Sequence, residues 1–164
     1  MDMSERNAVY VDMMVDSLKR KKQILSYLYK ATREQEQLLK DEDMDADSFR
    51  QLVDAKGEKI DELNSIDEGF DTLFKFVKQE FQGNRDKYRD KIRQMQELIS
   101  DISDFGVQIQ ALEQQNSEHF KIYLARHRKM VREFHVNNKT ASTYYQNMAN
   151  AHKPQTSYFF DETK

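Results

Sequence analysis

The sequence contains no cysteine, no tryptophan, one proline and four glycines in 164 residues. Without cysteine the chain has no disulfide, no thiolate nucleophile and no cysteine-based zinc site. Glycine and proline supply most tight turns, and average usage would give about 20 of them, so this shortage excludes most β-sandwiches, β-barrels and Rossmann-type sheets. No apolar run approaches the roughly 18 residues of a membrane span, and the start of the chain lacks a signal-peptide pattern. We therefore expect neither secretion nor stable membrane insertion.

Charged residues make up 34% of the chain and hydrophobic residues 38%, so the surface is large relative to the core. Three breaks divide the sequence: the acidic stretch 41–48, the Gly83-Asn84 pair and Pro154. Between these breaks, apolar residues recur every three or four positions, which is the period of one helix face. We therefore predict an all-α fold, an elongated antiparallel three-helix bundle or coiled coil.

The first two helices are predicted over about 5–40 and from Ser48 to Gly83. Ser48 and Gln51 have the spacing of a capping box, and Gly83 is a candidate C-cap because glycine tolerates a left-handed backbone. A few polar residues interrupt both apolar stripes. The stripe of the first helix is Val11, Met14, Leu18, Lys21, Leu25, Leu28, Thr32, Gln35 and Leu39; that of the second is Phe49, Val53, Lys56, Ile60, Leu63, Asp67, Phe70, Phe74, Val77 and Phe81.

The third helix is predicted from Asn84, a good N-cap, to about residue 150. At 1.5 Å per residue it would reach about 100 Å, against about 50 Å for each of its neighbours. The sequence therefore predicts a three-helix bundle over 1–119, an amphipathic extension over 120–152 and a flexible aromatic tail over 153–164. The stripe of the third helix begins with Tyr88, Ile92, Met95, Ile99, Ile102, Phe105, Ile109, Leu112 and Asn116.

The extension combines an apolar stripe with a basic opposite side. Residues 121–139 hold six Lys or Arg and one Glu. An amphipathic basic helix can bind a partner's groove, a membrane surface or an acidic protein; alternatively, the helix bends back, or two copies pair as a homodimer. The candidate partner-binding residues are Phe120, Tyr123, His127, Met130, Phe134, Tyr145 and Met148.

Residue types that could carry catalysis or bind a metal are not arranged for either role. The aspartates of 41–47 resemble the start of a calcium loop, but Ala46 and Leu52 stand where the loop needs glycine and glutamate. His119 and His127 are eight residues apart, about 12 Å along a helix, which is too far to share one ion. We therefore predict no enzyme, metal, cofactor or nucleic-acid partner.

Four short segments, in this order, resemble the FlgN-type flagellar export chaperones of bacteria, and together with the tail they span most of the chain. The resemblance implies a cytoplasmic chaperone that binds the C-terminal segments of hook–filament junction proteins, prevents their premature assembly and delivers them to the membrane export gate. The four segments are Lys22–Leu25, Gln35–Lys40, Lys56–Leu63 and Ala111–Asn116, and the tail Tyr158–Asp161 is similar to the ends of Gram-positive relatives.

The resemblance also implies roles for individual residues. Client and gate contacts would lie within 120–150, and Asn116 matches the family's asparagine at the start of this region. Tyr144 or Tyr145 would contact the cytoplasmic domain of the export gate. We expect an amphipathic client helix to pack against the apolar stripe of the extension with reversible affinity and without nucleotide hydrolysis. A homodimeric coiled-coil scaffold and a membrane-surface helix are the alternatives.

Overall fold

The computed structural model describes residues 2–126, which form three α-helices of 38 residues each. α1 spans Met3–Lys40, α2 spans Ala46–Gly83 and α3 spans Arg89–Arg126. α1 packs against both other helices, and the predicted all-α three-helix bundle is confirmed. The predicted continuation of helix 3 to about residue 150 and the aromatic tail lie outside the described residues.

The helices alternate in direction. Tyr10, near the start of α1, has its ring centroid 5.5 Å from that of Phe76, near the end of α2, so α2 runs antiparallel to α1. Lys87, just before α3, donates a hydrogen bond of 2.7 Å to Ser4 in the first turn of α1, so α3 runs parallel to α1. We call this end of the bundle the proximal end. The distal end holds the turn between α1 and α2 and the described end of α3.

The first residue of α2 differs from the prediction. Asp45, rather than Ser48, is the N-cap, and α2 begins at Ala46. The Asp45 carboxylate accepts hydrogen bonds from the backbone N–H of Asp47 at 3.1 Å and from the Ser48 hydroxyl at 2.8 Å. The predicted capping box of Ser48 and Gln51 is therefore wrong, because the aspartate lies earlier in the chain and already engages the serine hydroxyl.

The turn between α2 and α3 also differs from the prediction. Gly83 is the last helical residue rather than a left-handed cap, and Asn84 ends α2 by donating its N–H to the carbonyl of Glu80 at 2.9 Å. Asn84 is not the N-cap of α3 either, since α3 begins only at Arg89. The later start of α3 accompanies the packing of Tyr88, which is 4% exposed and closes the proximal end of the core. The rings of Tyr88 and Phe81 are in an edge-to-face arrangement with their centroids 5.3 Å apart.

Most of the predicted stripe residues are buried in a single cluster, which we call the main core. α1 contributes a second buried row that includes Val15 and Ile24, because this helix faces both α2 and α3. The main core consists of Val11, Met14, Val15, Leu18, Ile24, Leu25, Leu28, Ile60, Leu63, Phe70, Phe74, Val77, Phe81, Tyr88, Ile92, Met95, Ile99, Ile102 and Ile109.

Candidate functional site

A second, smaller apolar cluster lies at the distal end. Its buried members, which we call the distal cluster, are Met44, Phe49, Val53 and Phe120. The rings of Phe49 and Phe120 stack with their centroids 5.3 Å apart and their planes inclined by 16°. Partly buried side chains pack around these four residues, namely Leu38, Leu39, Tyr123 and Leu124. The end of α3 is therefore held beside the start of α2 as far as Leu124.

Phe120 does not lie on an exposed surface, contrary to the expectation from the sequence. Its side chain is 4% exposed, so the packing of the bundle continues past residue 119. The reason is that Phe49 opens the stripe of α2 and is covered by an apolar side chain of α3 at the same level. Tyr123 is half-buried at the edge of the distal cluster, with its ring 6.4 Å from that of Phe120.

Five buried polar side chains separate the distal cluster from the main core, and we call them the polar layer: Thr32, Gln35, Lys56, Glu113 and Asn116. The Lys56 ammonium donates hydrogen bonds to Gln35 and to Glu113, with which it forms an ion pair. The Thr32 hydroxyl donates to the Leu28 carbonyl at 2.7 Å. Thr32, Gln35 and Lys56, which interrupt the apolar stripes of the first two helices in the sequence, thus lie in one layer of the bundle with two residues of α3.

Burial changes the ionisation of the lysine in this layer. Lys56 is 3% exposed, and loss of hydration lowers its pKa from the ordinary value, while the charge of Glu113 opposes that effect. Asn116, the residue matched through the family resemblance, is also inside the bundle. Its amide NH₂ donates to the Thr32 carbonyl at 3.1 Å, and its Oδ1 has no hydrogen-bonding partner among the described residues. Asn116 is therefore buried, whereas the family resemblance places it at the start of the region that contacts partners.

Three of the four basic residues at 19–22 form ion pairs with other helices. Lys21 is buried and pairs with Asp67 at 2.6 Å, so both polar interruptions of the stripes at this level meet each other. Arg20 donates two hydrogen bonds to Glu62, at 2.7 and 2.9 Å, and these lower the pKa of the Glu62 carboxyl. Because cross-helix pairs hold the run in place, its charge is used within the bundle.

The turn at the distal end is strongly acidic. Residues 41–47 hold five carboxylates and no basic side chain. Within residues 2–126, no group of three or more acidic or histidine side chains is placed to hold a metal ion. The Asp41 carboxylate accepts a hydrogen bond from the N–H of Asp43 at 3.0 Å, and the hydrogen bond from Ser48 lowers the pKa of Asp45. These carboxylates shape the turn and the start of α2.

A groove runs beside this turn, between the last turns of α1 and the first turns of α2. Its volume is about 560 Å³. We call it the acidic groove, because two carboxylates line it together with two leucines and small or polar side chains. The lining residues are Glu34, Gln37, Leu38, Asp41, Ser48, Gln51, Leu52 and Ala55. This groove cannot be read from the sequence, because it depends on how α1 and α2 pack against each other.

Three of the site residues suggested by the sequence lie in the described part of the chain. The bundle brings Phe120 and Tyr123 together at its distal end and places Asn116 one level deeper. The remaining predicted contacts lie outside the described residues: His127, Met130, Phe134, Tyr144, Tyr145 and Met148. Sequence reasoning missed the exposed Ile122, 56% exposed on the outer side of α3, because it falls off the stripe.

The family model described as FlgN protein matches residues 3–153. The match includes all three helices and the segment that follows α3. This chain belongs to the FlgN family. The family makes it a flagellar export chaperone. Comparison with curated proteins and with solved structures gave no match. None of the three helices of this FlgN-family protein is long and apolar enough to cross a membrane.

Proposed function

We propose that this FlgN-family protein is a cytoplasmic chaperone of hook–filament junction proteins. It binds their C-terminal helical segments and delivers them to the cytoplasmic domain of the membrane export gate. The family supports the general role of flagellar export chaperone. The single observation that supports the finer proposal is the position along α3 that lies beside the turn between α1 and α2.

α1 ends at Lys40 and α2 begins at Ala46. Phe120 stacks on Phe49, in the first turn of α2, so α3 reaches the level of the turn near residue 120. Within the described residues, side chains of α3 pack against the bundle as far as Leu124. In the proposal, the apolar stripe continues beyond this level through Met130 and Phe134, and a client helix supplies the neighbour that α1 and α2 supply along the bundle.

The proposed interaction extends the distal cluster rather than using a separate pocket. The client's apolar side chains pack against Tyr123, Met130, Phe134 and Tyr145, and each buried Å² of apolar surface contributes about 25 cal/mol. Ordering a flexible client segment offsets part of that gain. The resulting binding is reversible. Reversible binding suits a chaperone that must release its client at the gate without nucleotide hydrolysis.

The client surface is tested by titrating the full chain with the C-terminal fragment of a co-encoded hook–filament junction protein in a calorimeter. Met130→Asp combined with Phe134→Asp is expected to weaken binding at least tenfold, because two charges would have to be buried in the interface. Val107→Asp is the matched control, since Val107 is a 58% exposed apolar residue on α3 well before the proposed surface. Equal affinity of the double variant and the wild type would overturn the proposal.

The gate contact and the oligomeric state need separate measurements. Replacing Tyr144 and Tyr145 by alanine is expected to weaken binding to the cytoplasmic domain of the gate and to spare binding of the client fragment. Light scattering of the full chain is expected to give the mass of a monomer. A dimer that is stable to dilution, and that dissociates when residues 127–150 are deleted, would instead support the homodimeric scaffold.

A further inference from the structure

The acidic groove lies on the side of the bundle formed by α1 and α2, and no residue of α3 lines it. Leu38 and Leu52 are half-buried in its walls, while Glu34 and Asp41 are exposed. A groove with an apolar interior and an acidic rim matches an amphipathic segment whose polar side is basic. Its dimensions and chemistry therefore define the kind of occupant that it accepts.

The acidic turn beside the groove holds five carboxylates and is flanked by two basic residues, Lys40 and Arg50. The acidic turn 41–47 adjoins the groove, and none of its five carboxylates forms an ion pair within residues 2–126. Like charges at this density raise the local negative potential and attract a cationic partner, more strongly at low ionic strength. A basic occupant would relieve the repulsion within the turn.

The same chain supplies a segment of matching chemistry at the same end of the bundle. Residues 126–139 hold five Lys or Arg and one Glu, together with Met130, Val131 and Phe134. This segment starts at Arg126, two residues after Leu124, which packs beside the distal cluster. Its fourteen residues reach about 20 Å as a helix or over 40 Å when extended, whereas neighbouring helices pack about 8–10 Å apart. The segment is therefore long enough to cross the turn.

We propose that the acidic groove is an intramolecular docking site for the basic segment 126–139. Docking in the groove covers the client-binding residues Met130 and Phe134 until a client displaces the segment. Tethering favours this occupant over a second copy, because the covalent link gives the segment a high effective concentration at the groove. The regulatory half of the inference rests on the proposed function, since Met130 and Phe134 would be shared by the groove and the client. The docking half does not depend on any client.

The absence of cysteine in the chain allows a direct test of docking with the protein alone. Gln51→Cys, in the groove, is paired with Val131→Cys, and cross-linking by a short bismaleimide is followed by intact mass at low micromolar concentration. The control pair joins Val131→Cys to Phe76→Cys, an exposed position on the same helix but about 37 Å away. We expect the groove pair to react at least tenfold faster and to give the mass of a cross-linked monomer.

Charge variants establish whether the carboxylates carry the docking. Glu34→Gln, Glu42→Gln and Asp43→Asn, combined, are expected to reduce cross-linking of the groove pair severalfold. The matched control neutralises three exposed carboxylates of α3 instead, by Asp90→Asn, Glu97→Gln and Asp104→Asn, and is expected to leave the rate unchanged. Equal rates for the two cysteine pairs, or a product with the mass of a dimer, would overturn the docking.

The regulatory half is tested by client titration. The combined Glu34→Gln, Glu42→Gln and Asp43→Asn variant is expected to tighten binding of the junction-protein fragment severalfold relative to the α3 control variant, because the segment no longer competes. Unchanged affinity would overturn the competition. If the wild-type chain binds no client while the Gln51→Cys/Val131→Cys chain still cross-links through the groove, the proposed function is refuted and the docking is left intact, so the two failures are distinguishable.

Discussion

At the scale of single residues, the buried ion pair of Lys56 and Glu113 carries a large desolvation cost. Both side chains are at most 6% exposed, and removing two charges from water costs several kcal/mol per ion, which their attraction repays only in part. The lowered pKa of Lys56 reflects the same cost. The pair nevertheless fixes the level at which α2 and α3 face each other, because any shift would leave a charge buried without its partner.

Removing one member of the pair is expected to destabilise the bundle far more than removing both. Lys56→Met alone leaves Glu113 buried without its cation and should lower the free energy of unfolding by about 3–5 kcal/mol. Lys56→Met combined with Glu113→Leu is expected to recover most of this loss. Urea denaturation followed by circular dichroism measures the four corners of the double-mutant cycle.

The exposed pair of Asp86 and Arg89 is the control for that cycle. Its side chains are 92% and 66% exposed, so replacing both by alanine is expected to change the stability by no more than about 1 kcal/mol. A double variant of Lys56 and Glu113 that is as unstable as the worse single variant would contradict our account of the polar layer.

At the scale of the helices, the start of α2 depends on one carboxylate. Asp45 accepts hydrogen bonds from the N–H of Asp47 and from the Ser48 hydroxyl, and it lies at the positive end of the helix dipole. Both effects favour the ionised form, which agrees with the lowered pKa of Asp45. The first turn of α2 carries Phe49, so this cap also positions the distal cluster.

The lowered pKa predicts the direction of a pH effect. The folded state binds the proton of Asp45 less readily than the unfolded chain, whose carboxyl titrates near 3.8. The stabilisation is therefore complete well above pH 3.8 and is lost as the pH falls from there through the lower folded-state pKa. Asp45→Asn keeps a capping side chain but cannot titrate.

We expect the wild type to be more stable than Asp45→Asn at neutral pH and to lose that advantage below pH 3.8. Thermal unfolding across this range measures the difference. Asp43→Asn is the control, because the Asp43 carboxylate accepts none of the hydrogen bonds that hold the turn, and its variant should follow the wild type. A stability gap for Asp45→Asn that does not depend on pH would contradict the prediction.

The sequence predicts the helices well and their ends poorly, for a physical reason. Spacings such as Phe70, Phe74, Val77 and Phe81 record which face is buried, and burial is a property of the whole helix. Caps depend on local backbone angles, so Asp45 could be preferred over Ser48 only once the path of the turn was known. The second buried row of α1 was likewise hidden, because it requires knowing that this helix faces two neighbours.

The candidate site was predictable in outline only. The position of the distal end follows from the lengths of the helices, and Tyr123 was found because it continues the stripe of α3. The burial of Phe120 was not predicted, since it depends on the level at which Phe49 meets α3. The sequence marked Lys56 as an interruption of its stripe and Asn116 as a family-matched residue, but only the fold shows that they share one layer with Glu113.

At the scale of the whole molecule, the core is divided. Among residues 2–126, nineteen buried side chains form the main core, four form the distal cluster, and the polar layer lies between them. Local opening free energies follow the apolar surface that each unit buries. The small distal cluster is therefore expected to open more often than the rest of the bundle.

Hydrogen exchange measured by mass spectrometry tests this division. Backbone amides of residues 47–53 and 117–124 are expected to exchange at least tenfold faster than those of residues 60–81 and 92–109, which belong to the main core. Uniform protection along α2 and α3 would show that the polar layer does not separate two units. Phe76 and Val107 have exposed side chains but lie within the stretches that belong to the main core. Slow exchange of their backbone amides would show that protection depends on the packing of the helix and not on the exposure of each side chain.

The parallel course of α1 and α3 has a practical consequence for measuring complexes. Position 3 and position 126 lie at opposite ends of the bundle, about 57 Å apart because each helix has 38 residues. A biotin attached ahead of α1 would tether the molecule to a sensor chip by the end remote from Arg126. The acidic turn and the distal cluster would then face the flowing solution.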